Sequence, residues 1–382
     1  MRFPEIAYMS WAKAMPKARS NMARSGIDPC PPGLLRLSAR DLATHHPAGY
    51  GWPPLLQAIG RRYGVSSERV LTVSGGTSLA NWVACAAALH GAAADAEVIV
   101  ERPTYEPLLR IPESMGGTIR RLDRWFEEGW GIDPDRFASI VTRRTRLAIV
   151  TNLHNPSGAR LDPATLREMA RALERVGGFL LVDEVYLECL SGARQGTSSV
   201  HAGPNVIATN SLTKAYGLDG LRAGWILGPR RVIARAGKIH DLLGVNGVAP
   251  GEGMTLAALR NMAAIRRRAH AILRPNLERV MRFLARETRL SAHVPPGGNV
   301  LFARLPAGLD SGRFARHLLR HHGTLVVPGR FFESPRFVRI SFGCSPKALA
   351  RGLASLSRAL DDLGYGQASD GAPKKRDGRP RA

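Results

Sequence analysis

The sequence predicts an α/β protein: a large domain with a mostly parallel central sheet, followed by a smaller α+β unit. Three features point that way. Short apolar runs alternate with helical patterns from about residue 54 to 229, as strands covered by helices on both faces do. Beyond 229 come long arginine-rich helical stretches and then extended pieces. The 382 residues exceed one small module and suit a large domain with a smaller partner.

Residues 1–45 read as an irregular arm, because Cys30-Pro31-Pro32-Gly33 breaks any helix. In the large domain, 46–235, the expected strands are Val70–Val73, Glu97–Val100, Thr118–Leu122, Leu147–Thr151, Phe179–Val182, Val206–Thr209 and Ala223–Leu227. Helices are expected over Ser78–Leu89, Tyr105–Ile111 and Pro163–Glu174, the last with Asp162 at its N-cap and proline at its first position. In the smaller unit, 236–365, extended pieces fall near Val300–Leu305, Thr324–Val327 and Phe337–Ser341, and Lys347–Leu363 forms a last helix. The tail 366–382 is polar, rich in glycine, proline and charge, and reads as disordered.

Composition narrows the function. With 44% hydrophobic and 22% charged residues, a sizeable core forms and wholesale disorder is excluded. The net charge is +23, from 47 arginines and only seven lysines against 31 acidic residues. The basic residues are scattered through helical segments, so the excess reads as general arginine usage and not as a nucleic-acid surface. Non-specific attraction to polyanions at low salt is still expected. Cys30, Cys85, Cys189 and Cys344 lie far apart, which fits a reduced, cytoplasmic setting and no disulfide framework. The first 20 residues have no apolar core of signal-peptide length, and no uncharged apolar run reaches 18 residues. No metal is expected, because the pairs His45/His46 and His321/His322 lack the i, i+4 spacing of a helical metal site.

The scarcity of lysine makes one stand out. Lys214 is the only lysine between Lys17 and Lys238. Arginine can hold a phosphate but cannot become a neutral amine nucleophile near pH 7, whereas lysine can. Lys214 follows the strand ending at Thr209, Asp183 ends the run from Phe179, and Asn155 follows the strand ending at Thr151. All three thus sit past the carboxyl ends of parallel strands, where open α/β sheets place ligands. Arg222 comes only eight residues after Lys214, too close for a helical crossover, so Ala223–Leu227 should run antiparallel and return Arg222 to the same edge. Gly75-Gly76-Thr77, between a strand and a helix, offers close backbone approach and free N–H groups for a phosphate. An amine nucleophile, an acid and a phosphate site together describe pyridoxal 5′-phosphate.

Over roughly residues 46–345 the sequence resembles the fold-type I pyridoxal-phosphate enzymes, specifically the class I/II aminotransferases. The matching stretches include Gly51-Trp52-Pro53-Pro54-Leu55, Ser74-Gly75-Gly76-Thr77, Pro103-Thr104-Tyr105, Asn155-Pro156-Ser157-Gly158, Asp183-Glu184-Val185-Tyr186, Ser211-Leu212-Thr213-Lys214, Gly220-Leu221-Arg222-Ala223-Gly224-Trp225 and Arg339-Ile340-Ser341-Phe342. The resemblance implies that Lys214 holds the cofactor as a Schiff base and then moves a proton at Cα. It implies that Asp183 pairs with the pyridine nitrogen, that Asn155 and Tyr186 bind the ring oxygen, and that Tyr105 stacks on the ring. Gly76, Thr77, Ser211 and Arg222 would hold the phosphate, Arg339 would clamp the substrate carboxylate, and Gly26 would line the substrate. Where family members carry a tyrosine that reaches the neighbouring subunit's phosphate, this chain has His46, with Tyr50 nearby; either could replace it. A homodimer is implied as well. The reading is an aminotransferase acting on an amino acid and a 2-oxo acid. A carbon–sulfur β-lyase or decarboxylase on the same cofactor is the alternative, and a nucleic-acid-binding protein on this fold is a third possibility that lacks an added DNA-binding module.

Overall fold

The computed structural model describes residues 3–46, 51–190 and 197–366. The arm holds helix α1 (Ala7–Lys13) and strand β1 (Ser20–Asn21). It is therefore more ordered than the irregular arm expected from sequence. A seven-residue helix does not persist alone in water; this one is held because Tyr8 is buried and its N–H donates to Glu106 Oε2 at 2.7 Å. Such long-range support is invisible in local sequence.

The large sheet is assembled from strands and helices in alternation. After α2 (Pro53–Tyr63) come β2 (Val70–Ser74), α3 (Gly76–Leu89), β3 (Glu97–Arg102), α4 (Glu106–Ser114) and β4 (Thr118–Asp123). Then follow α5 (Pro134–Ile140), β5 (Thr145–Thr151), α6 (Pro163–Glu174), β6 (Phe179–Asp183), β7 (Val206–Ser211), the single turn α7 (Thr213–Tyr216) and β8 (Ala223–Leu227). The spatial order is β2-β8-β7-β6-β5-β3-β4, and β8 alone runs antiparallel to its neighbours. Every expected strand is present, and Asp162 caps α6 by accepting from Ala164 and Thr165 N–H.

Register fixes the site. Thr151 pairs with Asp183, Asp183 with Thr209, Ser211 with Gly224, and Ser74 with Ala223. The carboxyl ends of β2, β5, β6 and β7 thus meet the amino end of β8 along one edge. The sheet face under α3 is filled by Val73, Val100, Ile149, Leu181 and Ile207, and the opposite face by Ile99, Val150, Leu180, Val206 and the α6 stripe Leu166, Met169, Leu173. Burying such branched side chains contributes about 1.5–3 kcal/mol each.

The remaining helices are α8 (Arg230–Leu243), α9 (Ala249–Arg260) and the 23-residue α10 (Met262–Leu284). Then come β9 (Val300–Arg304), α11 (Ser311–His322), β10 (Thr324–Leu325), β11 (Val327–Pro328), β12 (Phe337–Ser341) and α12 (Pro346–Asp362). Strands β11-β12-β9 form an antiparallel sheet, while β1 from the arm pairs in parallel with β10. Among the described residues no helix is long and apolar enough to cross a membrane.

Candidate active site

The sheet edge holds an enclosed cavity lined by Lys214, Asp183, Asn155, Tyr105, Tyr186, Thr77 and Arg222, together with Ser25, Asn81, Thr151 and Thr213. Seven of the residues singled out from sequence therefore meet in one place. A wider, more open cleft bounded by Arg61, Arg62, Tyr63, Glu188 and Arg260 shares none of them.

Lys214 lies on α7, just past β7, and its Nζ donates to Ser25 Oγ at 2.7 Å. Burial lowers its pKa to about 8, helped by the positive charges of Arg339 and Arg222 and opposed by Asp219 and Asp183. The arm presses on its backbone: Ile27 N–H donates to the Lys214 carbonyl, and a Cβ on Gly26 would come within 3.4 Å of Lys214 Cα. Gly26 thus packs against the lysine.

Asp183, at the last position of β6, is 4% exposed. Its Oδ2 accepts from Asn81 Nδ2 at 2.8 Å and its Oδ1 from Val185 N–H at 3.0 Å. Burial pushes its carboxyl up to about 6, against the pull of those hydrogen bonds and of Lys214. Thr209 Oγ1 donates to Asn81 Oδ1 in turn, so Asn81 is locked in one orientation. Burial also raises the Tyr186 phenol, opposed in part by Arg339 and Ser25, and it raises the Tyr105 phenol.

At the other end of the cavity three hydroxyls converge. Thr77 Oγ1 lies 2.8 Å from Ser211 Oγ, which donates to Thr213 Oγ1 at 2.9 Å. Arg222 stands beside them and donates from Nη2 to the Gly75 carbonyl at 2.5 Å. Gly76 has φ +66°, and a Cβ there would lie 3.4–3.6 Å from the Arg222 guanidinium. Gly224 is constrained by space instead, since its Cβ would strike the Gly76 carbonyl carbon at 2.5 Å. The Gly76 N–H is already spent on the Arg222 carbonyl at 2.7 Å. Gly76 therefore supplies clearance, not a free amide, and α3 begins two residues earlier than its pattern indicates.

Arg339, in the middle of β12, is fully buried. Its Nη1 donates to Asn155 Oδ1 at 3.0 Å, and Nη2 donates to the Tyr8 hydroxyl at 3.0 Å and the Ala23 carbonyl at 3.1 Å. Its Nε has no partner. The rings of Tyr8 and Phe332 lie 5.6 and 5.2 Å from the guanidinium carbon. Every hydrogen-bond partner of this buried cation is neutral, and a buried charge without a counter-charge is costly.

Behind Asn155 runs a buried chain that the sequence reading did not find. Asn155 N–H donates to Thr151 Oγ1 at 2.9 Å; Thr151 Oγ1 and N–H donate to Glu101 Oε1 at 2.6 and 2.8 Å. Glu101 Oε2 accepts from Arg124 Nη1 at 2.7 Å, both side chains fully buried. Burial pushes the Glu101 carboxyl up and the Arg124 guanidinium down, each opposed by the other's charge. Ser25, Tyr8 and Asn81 were missed as well. Asn81 alone left a signal: it follows Thr77 by one helical turn on an otherwise apolar, alanine-rich face. Of the residues considered for an intersubunit role, His46 stacks on Trp52 with ring centres 3.9 Å apart and meets the Ala249 carbonyl at 3.1 Å, while Tyr50 lies outside the described residues.

A half-buried amine, an acid one strand away, an arginine-and-hydroxyl cup and a second, buried arginine are the arrangement of the pyridoxal-phosphate-dependent fold-type I class. The chain belongs to the family described as "Aminotransferase class I and II", whose profile matches residues 31–356. With the family come the activity, amino-group transfer between an amino acid and a 2-oxo acid, and the cofactor, pyridoxal 5′-phosphate. The chain is 32% identical over 265 residues to capreomycidine synthase of Streptomyces vinaceus, covering 69% of this chain and 68% of that one. Among solved structures it resembles a PLP-dependent aminotransferase from Streptococcus suis 89-1591, with TM-score 0.87 and 26% identity over 97% of this chain and 100% of that one. It also resembles the PLP-dependent cyclase OrfR, with TM-score 0.83 and 26% identity over 95% of this chain and 98% of that one. The residues present fit the cofactor. Gly76 leaves clear the space in front of Arg222, and the three hydroxyls there bond chiefly to one another.

Proposed function

We propose that the protein transfers the amino group of an α-amino acid whose carboxylate docks on Arg339, with Lys214 as the group that binds the cofactor and moves the Cα proton. The observation that carries this reading is the buried Arg339, which has neutral partners only and a free Nε. When bound, the cofactor supplies an electron-accepting ring that stabilises the charge left at Cα.

The protein's own groups then have distinct tasks. Lys214 Nζ, with its pKa lowered to about 8, is partly neutral near pH 7 and can take or return a proton. Asp183, held by Asn81 and Val185, would pair with the ring nitrogen and keep it protonated. Asn155 and Tyr186 would donate to the ring oxygen, and Tyr105 would stack on the ring. Thr77, Ser211 and Arg222 would hold the phosphate, for which Gly76 leaves room. Arg339 orients the substrate so that the Cα–H bond faces Lys214, and Gly26 keeps the arm close to that lysine.

We propose further that the chain divides into an arm (1–45), a cofactor domain (46–235) and a smaller domain (236–365), and that it works as a cytoplasmic homodimer. The exposed apolar side chains of Leu242, Leu243, Val245 and Val248, 87, 46, 65 and 58% exposed, support a partner surface at the end of α8. The four free cysteines support a reducing compartment.

A second chemistry on the same cofactor, other than aminotransfer, is favoured by the similarity to a capreomycidine synthase and a PLP-dependent cyclase. One experiment separates the two. Single amino acids are mixed with the cofactor-loaded enzyme, and the visible spectrum and products are followed. Aminotransfer converts the bound cofactor to its amine form, and a 2-oxo acid restores it. Turnover that leaves the cofactor in its starting form while the substrate is consumed would establish the second chemistry.

A further inference from the structure

We propose that His317, His322 and Asp362 form a binding site for a zinc-class divalent metal ion, clasping the end of α11 to the end of α12. The three residues offer one donor atom each, and these atoms lie within 4.8 Å of one another. His317 Nε2 and His322 Nε2 lie 3.0 and 2.7 Å from the same carboxylate oxygen, Asp362 Oδ2. Two imidazoles and a carboxylate form a donor set suited to Zn²⁺ or Ni²⁺, whereas Mg²⁺ and Ca²⁺ prefer oxygen alone.

The two His–Asp contacts lie close to the spacing a metal requires, while the two Nε2 atoms, within 4.8 Å of one another, have room to close on an ion. A tetrahedral ion at about 2.0–2.2 Å from each donor separates neighbouring donors by about 3.3 Å. The two His–Asp contacts have to open by a few tenths of an ångström, and the two histidine nitrogens have to settle at about the same separation through rotation of their side chains. A fourth position remains for water. The histidine side chains are 21 and 13% exposed and Asp362 is 42% exposed, so the donors are held in place yet can be reached from solvent. His321 packs against His317 with ring centres 4.4 Å apart and limits its rotation.

The pair His321/His322 was set aside in sequence because it lacks helical metal spacing. The partner that matters is His317, five residues before His322. On a continuing helix that spacing points two side chains about 140° apart. They converge because His322 is the last residue of α11 and α12 packs beside it, bringing Asp362 to both. None of the three residues lines the Lys214 cavity.

Electrostatics sharpen the inference. Arg313, Arg316 and Arg320 line the groove next to His317 and His321, and the whole chain carries +23. The local field repels a dication, so direct coordination is what would hold it. Attraction to a diffuse acidic surface is not available here.

The test is a ZnCl₂ titration of the full-length, cofactor-loaded, chelator-treated protein by calorimetry, with thermal unfolding in parallel. One saturable ion per chain and a rise in Tm are expected. His317→Ala, His322→Ala and Asp362→Asn should each weaken binding about tenfold or more while leaving the cofactor spectrum and the half-reaction rate unchanged. In about 0.5 M NaCl the binding should persist, because salt screens the arginine repulsion and not the coordination bonds. MgCl₂ should not raise Tm. Absence of saturable binding, binding that survives all three substitutions, or an equal shift with MgCl₂ would overturn the proposal. None of those results would touch the reading of the Lys214 site.

Discussion

Replacing Glu101 by Gln tests whether a buried ion pair positions Asn155. Glu101 and Arg124 are both fully buried, and Arg124 is anchored to the Trp130 carbonyl at 2.6 Å. Breaking one member of a buried pair leaves an uncompensated charge and costs about 3–5 kcal/mol. At about 2.1 cal/mol/K per residue, 382 residues give an unfolding entropy near 0.8 kcal/mol/K, so Tm should fall by about 4–6 °C. A glutamine amide also has only one acceptor oxygen, whereas Glu101 accepts from Thr151 on one side and Arg124 on the other. Thr151 Oγ1 then loses its anchor, and Asn155, whose N–H it accepts, shifts against Arg339. Loss of one such bond, about 0.5–1.5 kcal/mol, should lower kcat/KM roughly two- to tenfold. The assays are thermal unfolding and steady-state kinetics on the cofactor-loaded enzyme. The double variant Glu101→Leu with Arg124→Met separates the two effects. Apolar replacement of both partners should recover part of the stability, since no charge is left unpaired, but kcat/KM should stay low because the Thr151 N–H and hydroxyl still lack their acceptor. A Glu101→Gln enzyme with unchanged Tm, or a double variant with restored kcat/KM, would refute the reasoning.

Two further outcomes are expected. Arg339→Ala should lower kcat/KM for α-amino acids by at least about 10²-fold, since two charge-assisted bonds of about 1.5–3 kcal/mol each are lost, while cofactor retention changes little. Equal loss of both in equilibrium dialysis and kinetics would remove its carboxylate role. The rate at which apoenzyme captures the cofactor, followed by absorbance, should rise about tenfold per pH unit below pH 8 and level off above it, because Lys214 with its pKa lowered to about 8 captures only as the neutral amine. At pH 7 that shift from 10.5 raises the neutral fraction about 300-fold. A rate still climbing at pH 10 would mean an unshifted lysine.

Much of the cofactor half of the site was legible in sequence because connectivity alone carries it. Lys214, Asp183 and Asn155 follow strands whose apolar runs mark them as parallel and buried, and the short link to Ala223 forces β8 to reverse. Convergence at one edge follows from those two facts. The substrate half was less legible. Tyr8 reaches Arg339 across 331 positions and Ser25 reaches Lys214 across 189, and no local pattern announces either contact. Gly76 was found for the right region, but its amide proved to be taken by Arg222.

The sequence by itself determined the order of the large-domain strands, the sheet edge where the candidate site lies and the amine proposed to act there. These depend on periodicity, chain connectivity and residue chemistry. Only the tertiary structure decided what surrounds each group: that Arg339 is buried among neutral partners, that Glu101 and Arg124 stand behind Asn155, and that Asp362 closes on His322, which the sequence had set aside, and on His317, which it had not singled out. Burial and long-range pairing set charge, pKa and orientation. They arise when distant segments pack, so no local stretch of residues contains them.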